Sequence, residues 1–254
     1  MNIRVKKIPL SLWYVVTLVM NFLGAMGVLG QSQREVSDSL PNLFVPAPFT
    51  FAIWFVIYLG SAWFLIHQFR QKDEEYTTFL ETKINPLFAE ACLFNVAWII
   101  SFSRHWIGIS TLFILIYYAF IVAIMERIRK RTLTPAQRLG LKVPMALYLG
   151  WLSVAVIANI TAWLVDLGWD RFGWSEALWL YIALVLGLVV LSALIFRHRC
   201  PVIALVGLWA FFGILYRHLT EKAGAAPLAP IILAVAMAVL LLDGLFVLRS
   251  PNTR

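Results

Sequence analysis

The stretch LYLGWLSVAVIANI, residues 147–160, decides the fold. It carries no charge, and at ~1.5 Å rise per residue it spans most of a ~30 Å hydrocarbon core as a helix. At 100° per residue it also places Tyr148, Trp151, Ala155 and Asn159 within about an 80° arc, so a phenol, an indole and an amide share one stripe. A membrane helix that aligns such groups either clamps its neighbours or lines a cavity.

The surrounding composition supports the lipid reading. Hydrophobic residues make up 61% of the 254 residues and charged residues 13%, with mean hydropathy +0.83, too little polar surface for a water-soluble globule. Apolar runs predict spans at Ile8–Gly30, Ala47–Phe69, Ile84–Ser103, Ile107–Glu126, Val143–Val165, Ser175–Phe196, Pro201–Tyr216 and Leu228–Leu248. No period-two pattern competes, so the fold class is all-α: a polytopic transmembrane helix bundle of about eight spans.

Charge sorts along this count. With a cytoplasmic N-terminus, sixteen of the 21 Lys and Arg fall inside, including Arg4, Lys6, Lys7, the run Arg127–Lys142, and Arg254. Only Arg34, Arg104, Arg171, Arg217 and Lys222 fall outside, as the positive-inside rule expects for two cytoplasmic termini. The net charge of +8 is therefore topological, and no nucleic-acid partner is needed to explain it. The Arg127–Lys142 loop could also hold anionic lipid, although a topogenic role suffices. The expected location is a multi-pass site in the bacterial inner membrane.

The first apolar run exceeds the 7–15 residues of a signal core, so it reads as a retained helix. Cys92 and Cys200 form no CxxC or Cys/His metal spacing, and His67, His105, His198 and His218 all lie at span ends. The sequence thus indicates neither metal nor cofactor. No extramembrane stretch is long enough for a soluble domain. Gly24, Gly27 and Gly30, and Gly60 to Ala62, suit close helix contact. Two carboxylates, Glu90 and Asp243, lie well inside spans, where such groups mark a pathway, a partner or a proton.

Two other spans repeat the opening pattern. In the second, Phe51, Trp54, Tyr58 and Ala62 recur on one face, and the third sets Asn95 and Trp98 three apart. Under the predicted topology, Trp54, Tyr58, Asn95, Trp98, Ala155 and Asn159 fall between mid-membrane and the outer surface, with Tyr148 and Trp151 beneath them. An interfacial aromatic belt explains Trp106, Trp169, Trp174 and Trp163, but not residues at this depth. Interhelical polar clamps and a ligand cavity with aromatic walls both account for them.

The motifs VPAPFTFAIWFVIY, NVAW and YLGWLSVAVIAN, in that order, resemble those of the TspO/MBR family, the tryptophan-rich sensory or translocator proteins. The resemblance covers roughly residues 8–166 and suggests a longer branch: a five-helix domain at 1–166, then three added helices at 167–254 packed on the same bundle. It implies binding of a planar hydrophobic small molecule, a tetrapyrrole or a sterol, without catalysis. Carried over by position, the ligand site is Trp54, Tyr58, Asn95, Trp98, Tyr148, Trp151, Ala155 and Asn159. The segment between the first two helices would form a lid shaped by Pro46 and Pro48. The family's proline pair is split here by Ala47, and its Pro-Tyr pair is replaced by Pro144 followed by Met145. A homodimer is compatible with the resemblance, though the added helices could cover that surface.

Two other classes compete. An ion- or proton-coupled transporter could use Glu90 and Asp243, but paired broken spans in two halves are not found. An intramembrane enzyme would need an HExxH, a Ser/His pair within spans, clustered carboxylates or a phosphate loop, and the sequence has none. A retinal protein is excluded because no lysine lies inside a span.

Overall fold

A computed structural model describes residues 3–250, with side chains from Leu10 onward, so the side chains of Arg4, Lys6, Lys7 and Arg254 in the charge count lie outside the described residues. The chain is 82% helical, and the described residues contain no strand. In order, the helices are α1 (Ile3–Ala25), α2 (Gln33–Ser39), α3 (Ile53–Arg70), α4 (Glu74–Phe79), α5 (Asn85–Ser103), α6 (Ile107–Arg129), α7 (Pro135–Gln137), α8 (Val143–Asp166), α9 (Glu176–His198), α10 (Pro201–Thr220) and α11 (Ala229–Arg249). Seven helical stretches are long and apolar enough to cross a membrane, and α1 adds a shorter apolar stretch, Leu10–Ala25. The protein is an all-α, multi-pass membrane protein.

Three span boundaries differ from the hydropathy reading. The first helix ends at Ala25 rather than Gly30, because Gly27 (φ 73°) and Gly30 (φ 149°) take the chain out through left-handed backbone. The third and fifth spans begin earlier, giving continuous helical stretches Glu74–Ser103 and Pro135–Asp166. Their starts are capped: Asp73 accepts the Tyr76 N–H at 3.0 Å, and Thr134 forms a reciprocal capping box with Gln137. Each then passes through a widened π turn, Leu80–Ile84 or Arg138–Lys142. Proline explains both turns. Pro86 and Pro144 have no N–H for the carbonyl four residues back, at Thr82 and Gly140, and the ring crowds that turn, so the helix widens instead of breaking.

The chain forms two compact units, one of Met1–Val36 with Trp54–Leu149 and one of Ser37–Ile53 with Gly150–Arg254. The division by compactness passes within α2, after the first residue of α3 and within α8. In the first unit α1 packs on α5, and α5 on α6. Gly24 permits the first contact, since a Cβ there would stand 2.5 Å from Ile99 Cγ1. In the second unit α9, α10 and α11 pack on one another, and the 3₁₀ turn Pro48–Ala52 packs on α10.

Candidate functional site

The first unit gathers Trp54, Tyr58, Asn95, Trp98 and Tyr148. Trp54 and Tyr58, four apart on α3, stack at 5.6 Å with 18° between planes, and Trp54 meets Trp98 of α5 at 5.9 Å. The Tyr58 hydroxyl lies beside the Asn95 amide and within electrostatic reach of Tyr148. Tyr148 packs edge-on against Tyr117 of α6 at 5.8 Å and Phe88 at 6.4 Å. Asn95 accepts a hydrogen bond from the Asn21 amide of α1, and Tyr14 of α1 donates to the Tyr58 carbonyl. Among the described residues, Tyr58 Oη and Asn95 Nδ2 lie beside each other, and Tyr117 Oη beside Tyr148, without closing a hydrogen bond of ordinary geometry, and Asn21 Oδ1 is likewise unmet. Buried polar groups in proteins are nearly always satisfied, so such a cluster calls for a ligand or water.

The second unit holds Trp151, Ala155 and Asn159, of which Trp151 and Asn159 are buried. Trp151 meets Phe51 edge-on at 6.2 Å. Phe51 lies in the 3₁₀ turn Pro48–Ala52 that leads into α3.

The expected lid segment also belongs to this unit, and α10 fastens it by its backbone. Lys222, just past α10, donates to the Asn42 carbonyl, His218 Nε2 meets the Leu43 carbonyl at 2.9 Å, and Trp209 Nε1 donates to the Thr50 carbonyl at 2.9 Å. The Ala47 N–H in turn donates to the Gly213 carbonyl at 3.0 Å. Arg217 reaches the Pro46 carbonyl and pairs with Asp38 at 3.1 Å and Glu221 at 2.9 Å. Side chains complete the latch. Phe49 sits edge-on to Trp209 at 5.6 Å and Tyr216 at 5.3 Å, and a Cβ on Gly213 would stand 2.0 Å from Thr50 Oγ1. Pro46 is buried, while Pro48 opens the 3₁₀ turn.

The carboxylates separate. Glu90 is exposed on α5, whereas Asp243 is half-buried, with Oδ2 buried and unpartnered among the described residues. In the Arg127–Lys142 stretch, Arg131 pairs with Glu75 at 2.6 Å and Arg129 with Glu126 at 3.0 Å, so two of its charges already have protein partners. The described residues contain no cluster of His, Cys, Asp or Glu that could hold a metal, and both cysteines are free.

Several functional residues escaped sequence reasoning. Asn21 was visible as an amide inside an apolar run, a type usually hydrogen-bonded between membrane helices. Tyr117 lay in a plain run of the fourth span. His218 and Arg217 carried no signal, because their partners are backbone carbonyls about 170 residues away.

The fold and this interior define the class: a multi-pass helical membrane protein with stacked tryptophan and tyrosine beside unsatisfied amide and phenol groups. The model of the family described as TSPO-like protein matches residues 7–248, and the chain belongs to that family. The match takes in α9, α10 and α11, well past the residue 166 at which the sequence motifs end. None of the curated proteins and none of the solved structures matches the chain.

Proposed function

We propose that this TSPO-like protein is a sensor or translocator without catalytic chemistry, which binds a planar hydrophobic molecule of the tetrapyrrole or sterol class in the first unit. One observation carries the reading: the Trp54–Tyr58–Trp98 stack adjoins buried Tyr58 Oη and Asn95 Nδ2, which close no hydrogen bond of ordinary geometry. Flat aromatic walls with a few orienting polar groups describe a site for a flat, mostly apolar guest. Both termini are placed in the cytoplasm by the charge sorting alone. The bacterial inner membrane remains the expected location, and a homodimer is compatible with the family.

Protoporphyrin titration of the detergent-purified protein, followed by tryptophan quenching corrected for inner-filter absorption, tests the proposal. Saturable binding is expected, and Tyr58→Phe should weaken it about 2- to 10-fold, as loss of one hydrogen bond of ~0.5–1.5 kcal/mol implies. The ligand-free variant should lose little stability, because the hydroxyl removed closes no hydrogen bond of ordinary geometry there. No saturable binding by folded protein, or unchanged affinity with a lowered Tm in Tyr58→Phe, would refute the reading.

A further inference from the structure

We infer that the second unit holds a separate lipid site, which takes an acyl chain of a membrane glycerophospholipid between α8 and α9 and its phosphodiester on Arg171. A cavity of about 200 Å³ lies there, walled by Phe44, Ile157, Ile160, Leu164, Leu180 and Leu186. Its lining is almost wholly apolar except at one end, where Arg171 and Glu176 meet Trp169 and Trp179. Trp169 and Trp179 are 4.7 Å apart, and Trp174 stacks on Trp179 at 5.6 Å. Tryptophans grouped where two membrane-length helices end and begin mark the interfacial depth at which lipid phosphates lie.

Arg171 is set for such a guest. Its Nε is buried and has no partner among the described residues. A guanidinium left so in apolar surroundings is a site for an oxyanion, and its planar fork matches a phosphate. The backbone that aims it is strained: Arg171 (φ 62°) and Phe172 (φ 55°) are consecutive non-glycine residues in the left-handed region. Asp170 Oδ1 holds the turn by accepting the Phe172 N–H at 2.9 Å, and Trp179 Nε1 donates to the Arg171 carbonyl at 3.0 Å. The charge at the rim narrows the head group. Glu176 beside the same opening opposes a doubly charged phosphomonoester and tolerates a singly charged phosphodiester. None of these residues belongs to the tetrapyrrole proposal, so either can fail without the other.

Native mass spectrometry of the full-length protein in detergent, titrated with dioleoyl phosphatidylglycerol, decides the matter. Wild type should retain one lipid. Arg171→Gln should cut retention roughly tenfold or more, as loss of a charge-assisted pair implies, and Arg171→Lys should fall between. Ala183→Trp and Ile160→Trp, each filling the cavity from a different helix, should also abolish retention, whereas Arg104→Gln, at an exposed helix end, should leave it intact. Glycerophosphoglycerol, the phosphodiester head without its chains, should not displace the lipid. Equal losses in Arg171→Gln and Arg104→Gln, retention undiminished by both tryptophan variants, or displacement by glycerophosphoglycerol or protoporphyrin would overturn the inference.

Discussion

In the first unit the contact between helices includes side chains that meet side chains, as Asn21 meets Asn95, while in the second the backbone carbonyls of residues 42–50 are met by α10 and Lys222. The difference separates adaptability from anchorage. Amide and phenol groups can exchange a neighbour for a guest at little cost, and some in the first unit close no well-formed hydrogen bond with the neighbours they have. Carbonyls held from a helix cannot turn away without moving the chain, so the second unit holds its segment fast. The segment that the family resemblance casts as a lid is here fixed to α10.

The contrast breaks most readily at Gly213. Gly213→Val should destabilise the protein by about 3 kcal/mol, the upper range for overpacking, because Thr50 is β-branched and stands in the way. Gly24→Val in the first unit should cost less, since its nearest obstacle, Ile99 Cγ1, would stand 2.5 Å away rather than 2.0 Å. Thermal unfolding in detergent gives the order, and a larger loss at Gly24 would invert the comparison.

Arg217→Gln removes pairs to Asp38 and Glu221 from a side chain that is only 13% exposed, and it should cost about 1–2 kcal/mol. Limited proteolysis should then open the chain between residues 38 and 50; an unaltered cleavage pattern would show that the carbonyl contacts suffice. In the first unit, Asn21→Leu should cost about 0.5–1.5 kcal/mol for one hydrogen bond, with Asn95→Leu no worse than the pair. Strictly additive losses in the double variant would mean that the two amides do not act together.

The smallest effect concerns pH. Burial first, then the Arg217 charge, pushes the Lys222 ammonium below its ordinary value. The unfolded chain therefore binds more protons between that lowered value and the ordinary one, so stability should rise slightly with pH through this window. Lys222→Met should flatten that slope, and an unchanged slope would assign it to another group.

Sequence showed the lipid-crossing runs plainly, because twenty apolar residues leave few alternatives to a membrane helix. It also showed the Trp54–Tyr58 stack, which follows from i,i+4 spacing within one helix. The early starts at Glu74 and Pro135 were hidden by polar composition, which hydropathy discounts even where capping makes helix. Trp179 reads from sequence as a residue of the plain sixth span with no part in a site, because Trp169 and Trp174, its partners, come from the preceding loop. The latch was least legible of all: a backbone carbonyl is present at every residue and leaves no mark in the sequence.

That latch also dictates an order of events during synthesis. Its hydrogen bonds join residues 159 to 180 positions apart, so the segment at 37–53 leaves the ribosome long before α10 exists. At 5–20 residues per second, roughly 10–30 s pass before the two can meet. Throughout that interval the Leu43, Pro46 and Thr50 carbonyls must be hydrated or held by another protein, and a chain halted before residue 201 never fastens them. The last quarter of the gene thus completes a piece of structure whose other half was made near its beginning.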